Sequence, residues 1–121
     1  MKIDIKKYKK RLDDEIIEPL IEIRNADDDC MFGTRQVMIL RKLVIKYMKA
    51  QGKVKDGNEQ KLQKNMKKLI YAINKLHRNA DYCMLESEMG EELCFIIEDI
   101  AMDAGHSEID EDITKPWREE W

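Results

Sequence analysis

The sequence predicts an all-α fold: a single-domain bundle, residues 1–121, of about four main helices plus a short C-terminal helix. Three observations predict it. Apolar residues return at steps of three and four along four long segments. No segment alternates polar and apolar residues as a half-buried strand does, and polar or glycine-containing stretches separate the segments. At 121 residues, one core is enough, because a chain of this size buries roughly two-thirds of its unfolded surface without a metal or a disulfide.

The first helix is expected over residues 4–24, with Ile5, Tyr8, Leu12, Ile16, Ile17, Leu20 and Ile23 on one face. Pro19 has no N–H to donate and its ring opposes the Glu15 carbonyl, so a kink or restart is expected near residues 17–19. Residues 25–29, rich in Asn and Asp, read as a polar turn.

Thr34 can cap a second helix reaching Gln51, and Gly52 is placed to end it in a left-handed conformation. Its apolar stripe (Val37, Met38, Leu40, Leu43, Val44, Ile45, Tyr47 and Met48) is wide, as expected of a central helix with neighbours on two sides. Residues 52–57 form a polar connector. Asp56 and Glu59 have the spacing of a capping box for the third helix.

That third helix has the cleanest pattern: Leu62, Met66, Leu69, Ile73, Leu76 and Ala80 follow one another in steps of four, three, four, three and four, a coiled-coil-like seam. After residues 79–81, Tyr82, Cys83, Met84 and Leu85 either prolong the helix or form a short packed segment. The fourth helix is expected over residues 87–103, with Met89, Leu93, Ile96 and Ile100 in line, Cys94, Ile97 and Ala101 beside them, and Gly105 as its stop. Ser107 and Asp110 can start a last short helical stretch that Pro116 ends.

Charge is divided unevenly along this scaffold. Residues 1–80 carry 20 Lys and Arg against 11 Asp and Glu, while residues 81–121 carry 2 against 14. The total of −3 conceals a dipole that can steer charged partners or draw the two halves together. The first residues lack an apolar signal core, and the longest run without Asp, Glu, Lys or Arg is the six residues 69–74, so neither export nor a membrane span is expected. Three cysteines, Cys30, Cys83 and Cys94, lie in or beside apolar helical patterns and read as buried, reduced thiols of a cytoplasmic protein.

Arg35, Lys42, Lys46, Lys49 and Lys53 line one side of the second helix; Lys61, Lys64, Lys68, Lys75 and Arg78 line one side of the third. Such rows bind phosphate, and nucleic-acid association is the alternative reading of the chain. Tyr47 and Tyr71 sit near apolar stripes rather than on a reading face, which favours a solvated basic surface paired with the acidic third.

Catalytic chemistry finds little support. Glu88, Glu91, Glu92, Glu98, Asp99 and Asp103 are numerous, but a dimetal bundle needs two Glu-x-x-His pairs and the chain holds only His77 and His106, so no metal or other cofactor is expected. Asp27, Asp28 and Asp29 lack the Gly and terminal Glu of a calcium loop. His77 at the seam's edge reads as a hydrogen-bonded structural residue, Cys83 and Cys94 carry no mark of a low-pKa thiolate, and no glycine motif cradles a phosphate.

The tail remains: Trp117 and Trp121, reached through Glu108, Asp110, Glu111 and Asp112. Aromatic side chains within a charged rim are the composition of a binding hot spot, and these six residues are the candidate partner-binding site. A terminal Trp can equally fold back and cap a bundle.

Ile73 to Leu76, the acidic stretch 86–92, Phe95 to Ile100, Gly105, residues 110–113 and the closing Arg118, Glu119, Glu120 and Trp121 resemble a family of small, uncharacterised bacterial all-helical proteins, a domain of unknown function, over roughly the last fifty residues. The resemblance implies a helical fold and, since that family has no catalytic residues assigned, carries none over to this chain. The expected function is therefore non-enzymatic: an interaction module, in its sharpest form an inhibitor or immunity-type protein whose acidic C-terminal third binds a basic partner such as a nuclease toxin.

Overall fold

A computed structural model describes residues 3–26, 32–86 and 88–121. They form helices α1 (Ile5–Leu12), α2 (Glu18–Ala26), α3 (Thr34–Gly52), α4 (Glu59–Asn79) and α5 (Glu88–Asp103), with no strand among the described residues. Asp27, Asp28, Asp29, Cys30 and Ser87 lie outside the described residues; Asn25 and Ala26, expected in a turn, belong to α2.

The first rod consists of α1, a π-helical turn over Asp13–Ile17, and α2. Tyr8, Leu12, Ile16 and Leu20, all buried, lie four residues apart. In a regular helix each such step drifts about 40° around the axis, so three steps would carry Leu20 well off the face that holds Tyr8. The wider i→i+5 turn absorbs that drift and keeps the row on the core. Pro19 becomes the second residue of α2, where its missing N–H is tolerated. Arg41 of α3 holds the turn, with Nε 2.7 Å from Asp13 Oδ1 and Nη2 3.1 Å from Oδ2.

α3 is central, touching α1, α2, α4 and α5. Its buried residues are Val37, Leu40, Val44, Tyr47, Met48 and Gln51; Met38 and Ile23, expected on apolar faces, are instead 39% and 49% exposed. The cap is not Thr34, which is already helical, but Gly33, whose N–H donates to the Gln36 side chain. Gly52 is not left-handed either: the helix runs through it and leaves by Lys53 at φ −90°.

In α4 every seam residue from Leu62 to Ala80 is buried. Asn58, not Asp56, is the cap, its Oδ1 accepting from Lys61 N–H at 3.2 Å. Glu59 reaches instead to Ser107, accepting from its N–H at 2.8 Å and from its hydroxyl. Beyond α4, Asp81 and Tyr82 adopt positive φ, which ends the helix and leaves Met84 and Leu85 as a short packed segment. Cys83 is exposed rather than buried.

α5 ends at Gly105 (φ 114°), as its position predicts. The Gly105 backbone there meets Gly57 (φ 60°) so closely that a Cβ on Gly105 would lie 2.7 Å from Gly57 Cα. Residues 107–113 are not helical; only Lys115–Trp117 forms a 3₁₀ turn, and Pro116 lies inside it instead of terminating a helix. The short C-terminal helix thus shrinks to one turn. The tail runs back along α4 and α5, tied at one end by Ser107 to Glu59 and at the other by Trp121 to Asn74. Among the described residues no helix is long and apolar enough to cross a membrane.

Candidate functional site

Buried polar residues inside the bundle tie the helices together, and two of them, Asn74 and His77, hold the tail. Gln51 donates from Nε2 to Tyr47 Oη at 3.1 Å and Leu62 O at 3.0 Å and accepts from Asn65 at 2.9 Å, while Tyr47 donates to Ile97 O at 2.7 Å. This network ties α3, α4 and α5 in the dry interior, where each unmade bond would be costly. Asn74 accepts on Oδ1 from the Trp121 indole N–H at 2.6 Å and Glu119 N–H at 2.9 Å, and donates from Nδ2 to Trp117 O at 2.7 Å. Two N–H donors can face only the oxygen, which fixes the orientation of the amide. His77 accepts on Nδ1 from Leu85 N–H at 3.2 Å, so Nε2 carries the proton and donates to Glu120 O at 2.8 Å.

Both Trp residues of the expected partner site are therefore packed against the core and bonded to the chain itself. Lys67 Nζ lies 5.9 Å from the Trp117 ring, and the Arg118 guanidinium 5.7 Å from that of Trp121. The Trp121 backbone lies against α5 at Gly90, where an added Cβ would sit 3.4 Å from the Trp121 carbonyl carbon, an ordinary contact. Glu119 completes the attachment: Arg78 and then Tyr82 bond its carboxylate and hold it down at about 2.

The acids of the candidate site divide. Asp110, Glu111 and Asp112 line a groove of about 380 Å³ against α5, together with Glu91, Phe95 and Glu98. Glu108 is exposed but outside it. Asp112 is engaged internally, accepting from the Thr114 hydroxyl at 2.6 Å and from Arg118; these partners outweigh the effect of its burial and hold it below the usual carboxylate range. Burial first, and the neighbouring Asp112 carboxylate second, push Glu98 up to about 7. Asp99 meets Arg11 at 2.6 Å.

Three groove acids, Glu91, Asp110 and Glu111, enter no ion pair among the described residues. They surround Phe95, a ring 56% exposed. Phe95 escaped the sequence reading because it sits inside an apolar run, Leu93 to Ile97. The stripe Glu91, Phe95, Glu98, Met102, on the face away from Leu93 and Ile100, was the available signal.

The basic rows do not pair with the acidic third as expected, apart from Arg78 with Glu119. Tyr71, too, is 51% exposed and not on an apolar stripe. Among the described residues, no group of three His, Cys, Asp or Glu is arranged to hold a metal ion. Comparison with protein-family models, with curated proteins and with solved structures finds no match. The family resemblance of the last fifty residues thus rests on its motifs alone.

Proposed function

We propose that this chain is a non-enzymatic interaction module that docks a basic protein partner in the groove between α5 and residues 109–112. The observation that carries the reading is an exposed Phe95 that shares one groove with Glu91, Asp110 and Glu111, acids that enter no ion pair among the described residues. An aromatic anchor inside a charged rim separates the two tasks of an interface: the ring slows dissociation, the charges speed the encounter. Relative to the six residues expected at first, the contact shifts from Trp117 and Trp121, which hold the tail, to Phe95; Asp110 and Glu111 stay within it, and Glu108 stands beside it.

In its sharpest form the protein is an inhibitor or immunity-type protein for a basic toxin such as a nuclease, acting in a reducing cytoplasm. Small size and the acidic groove support that form. The test is co-purification with a tagged copy from the native cell, followed by kinetics on the captured protein. Asp110→Lys with Glu111→Lys should reduce the association rate and flatten its salt dependence, and Phe95→Ala should raise the dissociation rate. Wild-type kinetics for both variants, with circular dichroism unchanged, would remove the groove from the interface.

A further inference from the structure

Beside the buried seam of α4, on the flank that faces α3, the two helices enclose a second groove. Two adjoining hollows of about 120 and 540 Å³ share Ala50 and Asn65 and are walled by Lys46 and Lys53 from α3 and its exit, Lys55 from the connector, and Lys61, Lys64 and Lys68 from α4. The ion pairs among the described residues use Lys10, Arg11, Arg41, Arg78, His106 and Arg118, and none of these six lysines. Six cations on facing walls therefore repel one another without compensation, an arrangement that raises the local concentration of a polyanion.

Tyr71 gives the row its direction. It follows Lys64 and Lys68 and precedes Lys75 at helical steps of four, three and four, so the exposed ring stands on the same outward stripe as three lysines. Lys67 Nζ lies 5.7 Å from its centre. Tyr71 does not line the groove but follows Lys68 on that stripe; a basic channel with an exposed aromatic ring beside it is the arrangement by which proteins hold single strands, where cations follow the phosphates and a ring stacks on a base. The 14 helical steps from Lys61 to Lys75 extend about 21 Å, room for several nucleotides.

We propose that the α3–α4 groove binds single-stranded nucleic acid, with Lys46, Lys53, Lys55, Lys61, Lys64 and Lys68 on the phosphates and Tyr71 as a stacking platform. A second copy of the chain is the poorer occupant, because its acidic surface is itself a groove and two concave faces do not mate. Duplex DNA is poorer too. The outward stripe of Lys64, Lys68, Tyr71 and Lys75 holds no Arg, Asn or Gln to read base edges, and Asn65 in the groove already donates to Gln51.

Anisotropy of a labelled oligo(dT) and a labelled oligo(rU), each about 16 nucleotides, tests this on the full chain. Between about 50 and 200 mM salt, log affinity against log salt should fall with a slope of about −4 if six lysines engage. Lys64→Gln with Lys68→Gln should make the slope shallower by about 1.4. Tyr71→Ala should weaken binding about 10-fold at every salt concentration with the slope unchanged. Both variants change exposed side chains, so their circular dichroism should match that of the wild type. Inorganic polyphosphate should bind the wild type and Tyr71→Ala with equal affinity, since it has no base to stack. Absence of binding at 50 mM salt, a slope indifferent to the lysines, or full affinity in Tyr71→Ala would overturn the proposal. Glu111→Lys, on the acidic groove, should leave oligonucleotide affinity no weaker, which keeps this result separate from the partner docking proposed above.

Discussion

Asn74, in the last two turns of α4, binds Trp121 through its side-chain oxygen, 2.6 Å from the indole nitrogen and 47 positions away in sequence. The same amide holds the backbone at Trp117 and Glu119, so one residue of the seam helix fastens the whole end of the tail.

Asn74→Ala removes three bonds at once. It should cost about 2 to 4 kcal/mol in chemical denaturation and shift tryptophan emission to the red as the tail lifts. Asn74→Asp keeps the acceptor for Trp121 and Glu119 but cannot donate to Trp117 O, and should fall between. Unchanged emission and midpoint in Asn74→Ala would show that the tail is held by other contacts.

Gly105→Ala places a Cβ against the Gly57 backbone and forces an L residue to positive φ. A loss of at least about 2 kcal/mol is expected. Gly52→Ala is the control: no atom lies within 4 Å of the added Cβ and φ is not positive, so stability should hold or rise. Equal effects at the two glycines would contradict the close approach.

Glu98 makes stability depend on pH. Its carboxyl titrates near 7 in the fold, raised by burial and by Asp112, against its usual 4.5. The fold therefore prefers the protonated form: that preference is whole below pH 4.5, declines between 4.5 and 7 and is lost above. Glu98→Gln should gain about 2 kcal/mol over wild type at pH 8 and nothing at pH 4. A gain independent of pH would assign the effect to packing.

The two described thiols should differ sharply. Cys83 is exposed, whereas Cys94 is 3% exposed and burial pushes it up to about 11. In a Cys30→Ser background, Cys83 should label with a thiol reagent in the native state and Cys94 only on unfolding. A Cys83 to Cys94 disulfide found by mass spectrometry would instead overturn the reducing compartment.

Helix positions and the α4 seam were legible because they depend on local spacing. Leu62 to Ala80 announce a buried face whatever packs on it. What stayed illegible depends on distance: Glu59 has the spacing of a capping residue but finds Ser107, 48 positions later. Asn74 and His77 interrupt an apolar pattern, and nothing nearby shows that the tail's own N–H and carbonyl groups complete them. Tyr71 looked apolar by neighbourhood, yet helical geometry turns it outward. The acidic groove was half legible: composition pointed to Asp110 and Glu111, but not to the ring across from them.

The π turn at Asp13–Ile17 has a meaning for chain length. A wide turn of this kind is an ordinary helix holding one surplus residue, so the rod can lose that residue and still present Leu12 and Leu20 to the same neighbours, now seven positions apart. Asp14 is the expendable one: it is exposed and pairs only with Lys10, whereas Asp13 holds Arg41 and Glu15 meets Arg11. Deleting Asp14 should leave a folded bundle, while deleting Lys46 from regular α3 should not, because everything beyond it would rotate about 100° off the core. The first rod is thus a helix whose length is negotiable, which the regular helices α3 and α4 are not.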